Sequence, residues 1–179
     1  MSNLWHDIKP QRIKPDDFIA VIEIEQGTKS KYELDKESGA MILDRILYTS
    51  THYPANYGFI PRTYASDGDP LDVLLVCSET IRPLTLVRCY PIGVIIMKDG
   101  GKLDEKIIAV PFTDPMYNSY HDINELPSHL YEMMIHFFSV YKNLENTTKG
   151  VEVEGVHGPD RAKEIICECI DNYIESFCR

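Results

Sequence analysis

The hydrophobic pattern of this chain changes period once, and that change does most to restrict its fold. From Phe18 to about Val110 the apolar residues alternate or form short runs, as strands do. After Pro127 they recur at three- and four-residue steps, as helices do. FIAVIEIE alternates, with Ile22 and Ile24 expected on one face and Val21, Glu23 and Glu25 on the other. KYELD, MILDRILY, LDVLLVC, LVRCYPIGVIIM and KIIAVPF follow. KESG supplies a glycine-bearing turn, and Asp99-Gly100-Gly101 a hairpin connection. Leu130, Met133, Met134, Phe137, Phe138 and Tyr141 then form one helical stripe, with Pro127 suited to its first turn. A second helix begins near Pro159 and presents Ile165, Ile166, Cys169, Ile170, Tyr173 and Ile174. The Met and Phe stripe is a core face that periodicity alone explains.

Strands followed by helices predict a mainly β (α+β) fold, a small barrel or curled sheet with two C-terminal helices packed outside. A chain of 179 residues suits one domain with one core. Residues 1–17 form an arm broken by Pro10 and Pro15, 18–125 the barrel and its loops, and 126–179 the helices.

A net charge of −10 argues against nucleic acid or an anionic membrane as partner, since both need a positive footprint. No apolar run approaches the ~20 residues of a membrane span. The segment MSNLWHDIKPQRIKP has no apolar signal core, so a cytoplasmic protein is expected. The five cysteines form no CxxC pair and no zinc-finger spacing, so reduced thiols are expected. Binding an anion would require local cations, either basic side chains or metal.

DGDPLDV places Asp67, Asp69 and Asp72 so close together that they repel one another unless a cation sits among them. An EF-hand does not fit: counted from Asp67, position 5 is Leu71, position 6 is Asp72 and position 12 is Ser78. A solvated acidic turn is the plain alternative, because Asp, Gly and Pro all favour turns. If the loop binds an ion, its oxygens suit Mg²⁺ or Mn²⁺ better than zinc.

A second group has the same character. Asp99 and Asp104 flank the Gly100-Gly101 turn, and Lys106 shares the strand face of Asp104. Lys31 and Glu33 have the same two-residue spacing. Such pairs are often weak surface contacts; repeated on several strands they describe a site for metal plus anion. Glu23, Arg45, Tyr53, Tyr57, Tyr141 and Lys142 fit that site individually no better than they fit solvent, an edge or a core. His136 faces either a neighbouring subunit or the core.

Together these residues resemble the soluble family I inorganic pyrophosphatases of bacterial type. DGDPLDV resembles the family signature, and the likeness continues in order through VIEI, KYE, DR, YPANYGFIP, the Asp99–Lys106 hairpin, IIAVP, HFFSVYK and VEVEG, over roughly residues 18 to 175. Val156 stands where bacterial members often carry tryptophan. The resemblance implies a five-stranded OB-type closed barrel with helices outside. It also implies a homohexamer that hydrolyses pyrophosphate to two phosphates. The cofactor would be Mg²⁺, about three to four ions per site, with Mn²⁺ or Zn²⁺ able to substitute.

Matched by position, the resemblance makes Asp67, Asp72, Asp99 and Asp104 metal ligands. Asp69 becomes the general base toward a water held between metals. Lys31, Glu33, Arg45, Tyr57, Lys106, Tyr141 and Lys142 become substrate-binding, and Glu23 and Tyr53 line the site. Competing expectations are a non-catalytic divalent-metal protein and an OB-type oligonucleotide-binding module.

Overall fold

The structure, a computed structural model, describes residues 3–145 and 150–178. Its strands are β1 (Phe18–Ile24), β2 (Ser30–Leu34), β3 (Met41–Ile46), β4 (Asn56–Phe59), β5 (Asp72–Leu75), β6 (Leu86–Asp99), β7 (Lys102–Pro111) and β8 (Val151–His157). The helices are α1 (Ser128–Val140) and α2 (Pro159–Phe177). Five strands close a ring in the order β1-β4-β5-β7-β6, and β6 returns to β1 through Leu86–Cys89 against Phe18–Val21. Only β5–β7 is parallel among the ring pairings. The barrel is mainly β and OB-like, as the sequence led us to expect. β2 and β3 form a separate two-stranded hairpin.

Two strands stand where none was expected. VEVEGVH lies inside the region assigned to helices, yet it forms β8 on the distal half of β6, from Val94–His157 to Asp99–Val151. Its alternating valines and glutamates are a strand pattern, hidden between two helical stretches. β4 is only four residues long and contains a glycine. That glycine is required: a Cβ on Gly58 would lie 1.9 Å from the Val21 carbonyl oxygen, so any side chain would push β4 off β1.

Alternate strand residues feed two cores. Leu74, Ile108 and Val110 pack with Met134, Phe137 and Phe138 of α1. Val73, Leu75, Ile107 and Ala109 pack with Ala162, Ile165, Ile166 and Cys169 of α2. Each large side chain so buried contributes roughly 1.5–3 kcal/mol. β1 departs from simple alternation. Ile22 opposes Gly58 while Ile24 opposes Tyr57, so Glu23 is the extra residue of a bulge. Ile22 therefore joins the α2 core and Ile24 the α1 core, instead of sharing a face. Glu23 is buried rather than solvated.

The stripe on α1 is also narrower than its spacing suggests: Met133 is 38% exposed and His136 is exposed, which removes the core option for His136. The arm is anchored, with Trp5, Ile8 and Ile13 buried.

Candidate active site

A cavity of about 370 Å³ opens where the ends of β5 and β7 meet the β2–β3 hairpin and the acidic loop. It is lined by Glu23, Lys31, Glu33, Tyr57, Asp67, Asp69, Asp72, Asp99, Asp104, Lys106, Tyr141 and Lys142, all anticipated from the sequence. The barrel positions the first wall. Asp72 opens β5 and stands opposite Lys106 of β7 in the parallel ladder. Asp104 lies two residues before Lys106 and so faces the same way. Lys106 Nζ contacts Asp72 Oδ2 at 2.5 Å and Asp104 Oδ1 at 2.7 Å, and it donates to Tyr57 Oη at 3.0 Å.

Burial opposes the charge on Lys106, but the carboxylates of Asp72 and Asp104 outweigh it and raise its pKa well above the usual lysine value. Burial raises the carboxyl of Asp104, with Lys106 opposing and Asp72 adding to the effect. Burial likewise raises the hydroxyls of Tyr57 and Tyr141, so both remain phenols able to donate.

The acidic loop forms the second wall. Asp67 Oδ1 accepts a hydrogen bond from Asp69 N at 3.0 Å, and Gly68 between them takes φ +94°, a conformation that favours glycine. Burial raises the Asp67 carboxyl, with Asp72 and Asp69 adding to the shift. Asp69 projects into the open and pairs with Lys36. Across from it, Lys31 is held by Glu33 and by Asp44, the latter at 3.1 Å. At the far end Asp99 closes β6 and pairs with Lys142, just beyond α1. The two-glycine turn Gly100-Gly101, with φ +59° and +84°, brings β7 back so that Asp99 and Asp104 share the cavity.

Glu23 joins the two walls. From the β1 bulge its Oε1 accepts a hydrogen bond from Leu34 N of β2 at 2.8 Å. Burial pushes its carboxyl up to about 8, against the pull of that N–H.

Two anticipated residues lie off the lining. Tyr53 is buried behind Tyr57, its ring 5.4 Å from that ring and 4.7 Å from Phe137. Arg45 sits opposite Lys31 in the hairpin, but its guanidinium is held by Glu145 Oε1 at 2.8 Å and by Asp44. Lys36, Asp44 and Glu145 belong to this polar network and were not singled out from the sequence. Lys36 lay in a segment legible only as a turn, and Glu145 meets Arg45 across a hundred positions of chain.

The donor set suits a hard divalent cation, because the lining acids offer oxygen and, among the described residues, no imidazole or thiol lines the cavity. Among the described residues no group of three acidic, histidine or cysteine side chains is already gathered closely enough to hold a metal ion.

The family model described as inorganic pyrophosphatase matches residues 20–174. An inorganic pyrophosphatase of Aquifex pyrophilus is 45% identical over 171 residues, 94% of this chain and 96% of that protein. The soluble inorganic pyrophosphatase 2 of Chlamydomonas reinhardtii is 44% identical over 176 residues, 98% of this chain and 91% of that protein. The solved inorganic pyrophosphatase of Thermus thermophilus superposes with a TM-score of 0.88 at 36% identity, covering 96% of this chain and 99% of that one. That of Helicobacter pylori gives 0.86 at 40% identity, covering 90% and 95%.

Proposed function

The chain belongs to the inorganic pyrophosphatase family and hydrolyses pyrophosphate to two phosphates, and we propose that it does so through the division of labour between the two walls. The observation that carries this reading is the pairing of Lys106 with Asp72 and Asp104, a charge cluster fixed by strand register beside the open carboxylate of Asp69. Asp67, Asp72, Asp99 and Asp104 would hold the Mg²⁺ ions, with Mn²⁺ or Zn²⁺ as substitutes. When bound, these ions supply the positive charge that a chain of net charge −10 lacks, and lower the pKa of the attacking water.

Asp69 is the general base: it is exposed at the cavity, and its carboxylate can orient a water and take its proton. Lys31 and Lys142 bind the phosphate oxygens, and Arg45 turns inward from Glu145 to join them. Tyr57 and Tyr141 donate from the cavity wall, and Lys106 stabilises charge on the leaving phosphate. Glu33 orients Lys31, Glu23 holds the hairpin to the barrel, and Tyr53 backs Tyr57. We further propose that residues 1–179 act as one domain within a cytoplasmic homohexamer, consistent with exposed Met133 and His136 on α1.

Purified protein with Mg²⁺ should release phosphate from pyrophosphate, and EDTA should abolish that release. Metal-dependent melting without phosphate release would instead support a non-catalytic metal-binding protein. Salt-dependent retention of single-stranded oligonucleotides would support the binding-module alternative, which the net charge opposes.

A further inference from the structure

Lys36 is the ammonium that meets the general base, and the amino-terminal arm holds Lys36 from two sides. Its Nζ lies 5.1 Å from the centroid of the Trp5 ring, and its main-chain carbonyl accepts a hydrogen bond from Asn3 Nδ2 at 3.0 Å. Trp5 is itself fixed. The indole is 6% exposed, Nε1 donates to the Thr63 carbonyl at 2.9 Å, and Phe177 of α2 packs edge-on at 5.2 Å. Thr63 in turn braces the acidic loop, because its Oγ1 accepts from Leu71 N at 2.9 Å, one residue before Asp72. A single buried indole therefore supports both the lysine over Asp69 and the root of the loop that carries Asp69.

We infer that Lys36 is a positioning residue for Asp69, and that the amino-terminal arm takes part in catalysis by seating Lys36 on Trp5. The physical reason lies in exposure. The Asp69 side chain is 58% exposed and its carboxylate is met by Lys36, so this pairing supplies its orientation. Lys36 is also half-exposed, and a free lysine in a turn would lose rotamer entropy on pairing. The face of the Trp5 ring attracts the ammonium and restricts it before Asp69 is engaged. This inference rests on Asp69 being the general base.

Trp5 is the chain's one tryptophan, so its emission reports on the surroundings of this indole, Lys36 among them. Asp69→Asn removes the charge that draws Lys36 forward; it should shift Trp5 emission in the parent background and leave it unmoved in a Lys36→Gln background. In steady state Lys36→Gln should lower kcat by about tenfold with KM within about twofold, and Lys36→Arg should recover most of the rate. Trp5→Leu should lower kcat in the same sense, and combining it with Lys36→Gln should add little. Emission indifferent to Asp69→Asn would overturn the inference, as would an unchanged kcat in Lys36→Gln. A rise in KM alone would make Lys36 a substrate contact instead. If Asp69→Asn keeps normal turnover, the base assignment fails even where the emission coupling holds. A slow Asp69→Asn beside a normal Lys36→Gln would remove only the positioning role.

Discussion

Lys106 and Lys36 both hold carboxylates in the same cavity, yet the Lys106 side chain is 5% exposed and that of Lys36 46%. Lys106 sits within a closed ring of strands, paired in register with Asp72, so the β5–β7 ladder fixes the backbone of both. Lys36 and Asp69 stand on turns, and their exposed contact is steadied by the Trp5 ring rather than by a strand ladder. The difference matches two chemical tasks. Holding several charges in one place requires a rigid, desolvated frame, which the barrel provides. Moving a proton requires a carboxylate that reaches the reacting water, which the loop provides.

The largest stability effect is expected on the rigid wall. Lys106→Met would leave the carboxylates of Asp72 and Asp104 facing each other without their ammonium. Loss of one partner from so buried a cluster should cost about 3 kcal/mol, or roughly 6–12 °C in melting temperature for a chain of this size. Thermal unfolding in EDTA reads this directly, and an unchanged midpoint would break the distinction between the walls. Added Mg²⁺ should recover part of the loss.

A pH-dependent effect of the same order is expected where the walls join. The folded Glu23 carboxyl titrates at about 8, above the ordinary 4.5. Between those values the folded chain holds a proton that the unfolded chain has released, so this group's contribution to stability falls as pH rises. In EDTA, Glu23→Gln should therefore flatten the decline in melting temperature from about pH 5 to about pH 8. A slope identical to that of the parent would show that the carboxyl is not held protonated.

The smallest effect belongs to the open wall. Lys36→Met should change stability by less than about 1 kcal/mol, within about 3 °C in melting temperature. A loss comparable to that of Lys106→Met would mean that the two walls are equally rigid.

What the sequence disclosed follows the same division. Asp104 with Lys106, and Lys31 with Glu33, were readable because a two-residue spacing fixes a shared strand face wherever the strand lies. The turn at Gly100-Gly101 was readable for a similar reason: two adjacent residues with positive φ favour glycine. Features set by distant pairing were not readable. No local pattern reveals that Leu86–Cys89 return to Phe18–Val21, or that β8 docks on β6. The bulge at Glu23 depends on how β4 meets β1, so the regular alternation of FIAVIEIE misplaced Ile22 and Ile24. Lys36 and Glu145 lacked any signal because each meets its partner only through the tertiary fold.

The central claim, that Asp67, Asp72, Asp99 and Asp104 hold metal while Asp69 handles the proton, is tested most directly by Asp69→Asn. Phosphate release from pyrophosphate and Mg²⁺ binding by calorimetry would be measured on the same preparation. The expected result is a rate lower by ~10²-fold or more with metal affinity within about threefold of the parent. Near-normal turnover, or metal affinity lost in step with the rate, would contradict it.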